Sequence, residues 1–462
     1  MASAATRAAL ASCEIDMNNP RSLPAASTNH GLIRSAVILV YMVFGALLNS
    51  VGSINLLAVQ SMGVTRADAS LLDAYKDLPI AIVSFLVASL LPRLGLRRAM
   101  LIGLAAVGVG CALMPVLASF WAIKLMFVTI GTAFALVKVS AYSMIGLLTR
   151  DDRSHASFTN LLEGMFMLGV LGGYWLFSQA VDNSQPQSTA WLHVYWVLTG
   201  VIAVSFCLLL ASSVDETQAR ANPQASGASS AQSVAGDVQA MLRLLLSGLV
   251  MVFVLSAFLY VLIEQGVATW LPSFNNEVLH MPAAMSVGLA VIMPASTAVG
   301  RLLSAAVIAR VGWYSVVNLC VVAIATLIVL TLPLSAGLQA NPNMGWASAP
   351  IVAYMFPLIG LFLAPIYPAI NSAMLSVLPK SRHAAMTGLI VIFSALGGSF
   401  GSFVTGRMFM AFDGRTAFAL LLVPIAMLAL FLWLFHKGLK RHAAQQSALE
   451  KIDTRTAAGL TP

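Results

Sequence analysis

The chain has 462 residues, 59% of them hydrophobic and only 9% charged, where soluble domains run near ~45–50% and ~25%. Lys and Arg outnumber Asp and Glu by 25 to 17, a net charge of +8. Charges this sparse cannot clothe a surface in water, so soluble enzymes, nucleic-acid binders and disordered scaffolds are excluded and lipid becomes the expected solvent.

In chain order, residues 1–32 are polar and Ala/Ser-rich, without the apolar stretch of a signal peptide, and read as a tail. A helix that crosses a bilayer needs about 20 mainly apolar residues. Twelve windows qualify: 33–60, 71–92, 98–118, 120–147, 157–181, 190–213, 243–271, 284–306, 314–335, 349–378, 386–411 and 417–436. They divide six and six about residues 214–242, whose Ser/Ala/Gln-rich composition reads as a flexible linker. Residues 437–462 form a second polar tail. The expected fold is therefore an all-α membrane protein of twelve transmembrane helices, with halves at 33–213 and 243–436.

Charge sets the orientation. With both ends inside, 18 of the 25 Lys and Arg residues fall on the cytoplasmic side and 3 on the outer side. Positive charge favours the inside, so both termini are expected in the cytoplasm, beneath a cell (inner) membrane. The four cysteines, Cys13, Cys111, Cys207 and Cys320, show no disulfide or metal spacing. All seven histidines sit in tails, loops or span ends. No cofactor or metal is expected, which argues against a membrane enzyme. Neither tail is long enough for the output domain of a sensor, the remaining non-transport reading. A monomer that contacts lipid and a small solute is the expected assembly.

The halves resemble each other. Arg93-Leu94-Gly95 closes the second window as Arg310-Val311-Gly312 closes the eighth. A shift of 228 places His155, Gly169 and Gly173 on His383, Gly397 and Gly401. Repeated halves are typical of secondary transporters, which bind substrate near the midplane between them.

Over roughly residues 32–437 the chain resembles the major facilitator superfamily. The run Arg93-Leu94-Gly95-Leu96-Arg97-Arg98 is a degenerate form of its signature loop, with Pro92 where an acid is usual. That loop and its counterpart at Arg310 and Gly312 imply a gating element. Within the superfamily the resemblance is to fucose–galactose–proton symporters. It rests on Phe44-Gly45-Ala46-Leu47-Leu48-Asn49, Ala69-Ser70-Leu71, Phe258 to Gln265, and Ala364-Pro365-Ile366-Tyr367-Pro368-Ala369-Ile370. It implies sugar transport coupled to protons. The family's first-span acid falls on Gly52, and its protonatable acid in the fourth span falls on Lys138. The fifth window lacks the Gly-Pro pair of drug–proton antiporters, which tilts against efflux.

Each charge at the centre of a spanning helix costs about 2.5–3.5 kcal/mol on insertion scales, so such residues point to function. The acids are Asp73, Asp77, Glu163 and Glu264, and the bases are Lys76, Lys124, Lys138 and Arg301. Asp73, Lys76 and Asp77 share one helix face. Asp73 is placed near the wetted outer end and Asp77 about 9 Å deeper. Lys138 falls about 13 Å from the inner end, near the midplane, and Glu264 about 10 Å below the outer surface. Lys138 could pair with a carboxylate or hold an anionic solute. The proposed charge network is Asp77, Lys138, Glu163 and Glu264. Asn49, Asn55, Tyr142, Gln265, Trp270, Tyr367 and Asn371 supply further hydrogen-bonding and stacking groups on the first, fourth, seventh and tenth windows. The expected activity is alternating-access movement of a small polar solute, a sugar by proton symport, with an organic anion held by Lys138 as the rival.

Overall fold

A computed structural model describes residues 30–148, 152–212, 234–341, 344–379 and 382–457. The tail before residue 30 and the linker expectation over 214–233 lie outside the described residues, as does the Arg93 side chain.

The described chain is all-helical. Its first part comprises α1 (His30–Leu48), α2 (Val51–Met62), α3 (Leu72–Leu94), α4 (Leu96–Leu117), α5 (Phe120–Leu148), α6 (Asp152–Ala180) and α7 (Val194–Ala211). An amphipathic helix, α8 (Val234–Leu245), precedes the second part. That part comprises α9 (Gly248–Glu277), α10 (Ala283–Ala290), α11 (Ile292–Val311), α12 (Trp313–Leu334), α13 (Ile359–Leu363), α14 (Ile366–Val377), α15 (His383–Ala411), α16 (Gly414–Ala419) and α17 (Leu422–Ala457). Among the described residues, eleven helices are long and apolar enough to cross a membrane. The second window is also one helix, the 23-residue α3, but it carries Asp73, Lys76 and Asp77. Short connections make successive helices antiparallel, so the chain alternates between a near face, where α1 begins, and a far face.

Several spans run past their sequence windows or break within them. The seventh continues to Glu277 instead of ending at Leu271. Glu264 is thus thirteen residues from that helix end, about 20 Å at the helical rise. The last helix runs to Ala457, through much of the expected polar tail. The first window breaks at Asn49-Ser50. A break frees carbonyls that lipid cannot satisfy, and here each of three finds a donor. Asn49 Nδ2 donates to Gly45 O (3.0 Å), Ser50 Oγ to Leu47 O (2.7 Å) and Lys76 Nζ to Leu48 O (3.2 Å). The tenth window breaks beside Pro365, which has no N–H to continue the ladder.

The same devices occur in both parts. Gly95 (φ 82, ψ 143) and Gly312 (φ 87, ψ 147) make matching turns in a region that only glycine enters freely. A Cβ on Gly169 would lie 1.9 Å from Met42 O, and one on Gly397 would lie 2.4 Å from Phe258 O. Gly401 meets Leu262 O in the same way, at 2.2 Å. Backbone therefore packs on backbone where α1 meets α6 and where α9 meets α15.

Candidate functional site

The two parts meet most closely toward the far face. Asp73 is fully buried there. It accepts hydrogen bonds from Lys76 Nζ (3.0 Å), from Thr269 Oγ1 (2.7 Å) and from Gln265 Nε2 (3.3 Å), the last two reaching across from α9. Lys76 also lies 3.5 Å from Asp77. One cation between two acids, with polar caps, is how a buried charge becomes tolerable. Further out, Arg66 donates twice to Glu277 (3.1 and 2.8 Å), and Gln60 donates to Asn276 (2.8 Å). Ser178 Oγ donates to Ala284 O and Ser402 Oγ to Ser70 O. Together these bonds hold the far ends shut.

Behind them lies a central cavity of about 330 Å³, lined from α1, α5, α6, α9 and α11. That volume suits a small molecule. Four charges line it: Lys138 on α5, Glu163 on α6, Glu264 on α9 and Arg301 on α11. Lys138 and Arg301 are exposed, although both lie within apolar helices. Among the described residues no ion pair reaches any of the four. The acids are instead held by tyrosines: Tyr142 donates to Glu163 (2.6 Å) and Tyr260 to Glu264 (3.1 Å). Lys138 sits over the Phe134 ring, 5.6 Å from its centroid. The Tyr41 hydroxyl, also at the cavity, is buried with no protein partner.

The structure gathers Asn49, Lys138, Glu163, Glu264 and Gln265 around this cavity. Tyr142 stands behind Glu163. Tyr367 stacks on Tyr260, with ring centroids 5.4 Å apart, and bonds with Ser394. Trp270 is buried against Phe409 and donates to Ser402 O. Asn55 is fully buried, with neither end of its amide partnered. The Asn371 Oδ1 is likewise unpartnered. Asp77 belongs to the far-side cluster, where it lies against Gly398. In the expected gating loop Arg97 donates to Leu209 O (2.9 Å) and Leu210 O, capping the end of α7. Arg98 and Arg310 are exposed.

Three elements of this geometry went unassigned by sequence reasoning. Asp73 was placed near the wetted end but is the hub of the closure. Arg301 was counted among the bases and given no role, although the rule that intramembrane charge signals function applies to it as much as to Lys138. The Arg66–Glu277 pair spans 211 residues of sequence, and no local pattern announces it.

Among the described residues, eleven helices apolar enough to cross a membrane surround a charged cavity closed at one end, the arrangement of a multi-pass membrane protein. The sequence profile of the Major Facilitator Superfamily matches residues 36–401, and the chain belongs to that superfamily. It is a multi-pass membrane protein and a secondary transporter of the alternating-access kind. No curated protein sequence matches it. Solved structures share its fold at low identity. The nucleoside transporter NupG has a TM-score of 0.66 at 13% identity, over 88% of this chain and 99% of that one. A bacterial homologue of the human lysosomal transporter Spinster, facing inward and unoccupied, gives 0.68 at 13%, over 89% and 98%. The E. coli fucose:proton symporter FucP gives 0.55 at 14%, over 87% and 98%.

Proposed function

We propose that the protein imports a small polar solute by proton symport, with two six-helix halves rocking about the central cavity in the cell's inner membrane. The observation that carries this reading is the cavity itself, where four charges with no ion pair among the described residues line one space behind a polar far-side closure. Packing alone does not call for such charges in lipid. Ionised, Lys138 and Arg301 cancel Glu163 and Glu264. A proton taken up by either acid leaves the cavity positive, which couples proton binding to the binding of a polar or anionic solute. Glu264 stands beside Gln265, whose amide bonds to Asp73 in the closure, so it links solute site and gate. A sugar is one candidate solute, by resemblance to fucose-type symporters.

The test begins with a ligand-induced thermal-shift screen of neutral sugars and small organic acids on the purified chain. Any stabilising compound is then assayed in proteoliposomes. Glu264→Gln should lose accumulation driven by a proton gradient while retaining counterflow exchange. Undiminished uphill uptake in that variant would remove Glu264 from coupling.

A further inference from the structure

The four cavity charges are not equally available. Glu163 and Glu264 each take a tyrosine hydroxyl, and both are half-buried. Lys138 and Arg301 have neither a carboxylate within ion-pair distance nor a hydrogen bond among the described residues, and both are exposed to the cavity. They belong to opposite parts of the chain, on α5 and α11. A third donor is the Tyr41 hydroxyl, which is buried to 1% exposure and has no protein partner. Two unused cationic donors line one space of about 330 Å³, and the unpartnered Tyr41 hydroxyl is buried in its wall. Each carboxylate accepts a tyrosine hydroxyl at one oxygen, whereas the two cations donate to no protein group among the described residues, so the cations are the groups left for an incoming anion.

We propose that the solute is a small carboxylate whose anionic group is clamped between Lys138 and Arg301, with Tyr41 as a neutral donor. This rests on the carrier reading above and names its substrate class. A guanidinium offers a planar fork that matches a carboxylate, and an ammonium adds a compact charge opposite it. Because the two cations come from opposite halves, one anion satisfies both, and binding ties the halves together through the solute. A neutral sugar would offer neither cation an ionic partner within bonding distance.

The probes are D-galactose and D-galacturonate, which differ chiefly by the carboxylate, with succinate and inorganic phosphate beside them. Binding is read by thermal shift and calorimetry on the full chain in detergent. Galacturonate or succinate should bind at least tenfold more tightly than galactose. Lys138→Gln and Arg301→Gln should each weaken that binding tenfold or more, and Lys138→Arg should restore much of it. Three results overturn the proposal: galactose binding as tightly as galacturonate, carboxylate binding untouched by Lys138→Gln and Arg301→Gln, or phosphate binding with no carboxylate bound. Absence of binding by both carboxylates also counts against it. The carrier reading is checked separately. With native cysteines replaced, a Lys138→Cys thiol should react with membrane-impermeant reagent from both faces in turn. An oxidised Gln60→Cys/Asn276→Cys pair should then block access from the far side. Labelling from the near face only, with or without that crosslink, would sink the carrier reading and leave the binding results standing.

Discussion

The protein handles charge in two opposite ways within a few helical turns. In the far-side closure Asp73 and Lys76 are buried, Asp77 is half-buried, and the three are answered by one another, by Thr269 and Gln265, and by the Leu48 carbonyl. In the central cavity Lys138 and Arg301 are exposed and, among the described residues, have no carboxylate within ion-pair distance. A charge whose partners are all protein groups holds the structure in one state. A charge without them is available to something that arrives and leaves. The contrast separates the far-side cluster from the proposed binding site without reference to any relative.

The largest way to break this comparison is to remove one member of the far-side cluster. Asp73→Ala leaves Lys76 short of a partner and strands the donors of Thr269 and Gln265. Losing one side of a buried pair costs about 3–5 kcal/mol, and thermal unfolding in detergent should show a correspondingly large drop. Lys138→Gln, measured alongside, should stay within about 0.5 kcal/mol of wild type, as substitutions outside a structural network do. Equal destabilisation by the two variants would erase the distinction.

An intermediate effect is expected at Asn55, whose amide has no protein partner while the far side is closed. An unsatisfied buried polar group costs about 1–3 kcal/mol. Asn55→Leu should relieve that cost in the closed state alone, raising the melting temperature and slowing exchange. Faster exchange, or a lower melting temperature, would show that this amide does not oppose closure. The smallest effect is expected at the rim. Arg66 and Glu277 are each about a third exposed, at 35% and 27%, and such pairs contribute about 0–1 kcal/mol. Glu277→Gln should therefore leave stability nearly unchanged while making far-side cysteine labelling faster and less sensitive to salt. Labelling unaltered by the substitution would assign closure to the Asp73 cluster alone.

Much of this architecture was legible in the sequence, because lipid enforces long apolar runs and leaves charge conspicuous. Among the described residues eleven helices are long and apolar enough to cross a membrane, as the hydropathy windows led one to expect in kind, and the Gly95 and Gly312 turns were visible as repeated Arg-x-Gly steps. Span ends were harder to read. The sequence from Pro272 to Glu277 turns polar, so hydropathy stopped at Leu271, yet packing and cross-bonds at Asn275 to Glu277 keep the helix going. Helix breaks were hidden as well. Asn49-Ser50 sits in an apolar run, and its tolerability depends on Lys76 arriving from another helix. The cavity residues Lys138, Glu163 and Glu264 were found by their charge. The burial of Asp73 was not, since one helix's sequence does not say which neighbour covers its polar face.

The glycine seams add a consequence for motion. Where Gly169 lies on Met42 and Gly397 on Phe258 there are no side chains between the backbones, so no rotamer change can absorb a displacement there. Each seam should behave as a weld. Mechanical work done by an arriving solute would pass through these joints undiminished to the far-side straps, and the lifetime of those straps would set the pace of turnover.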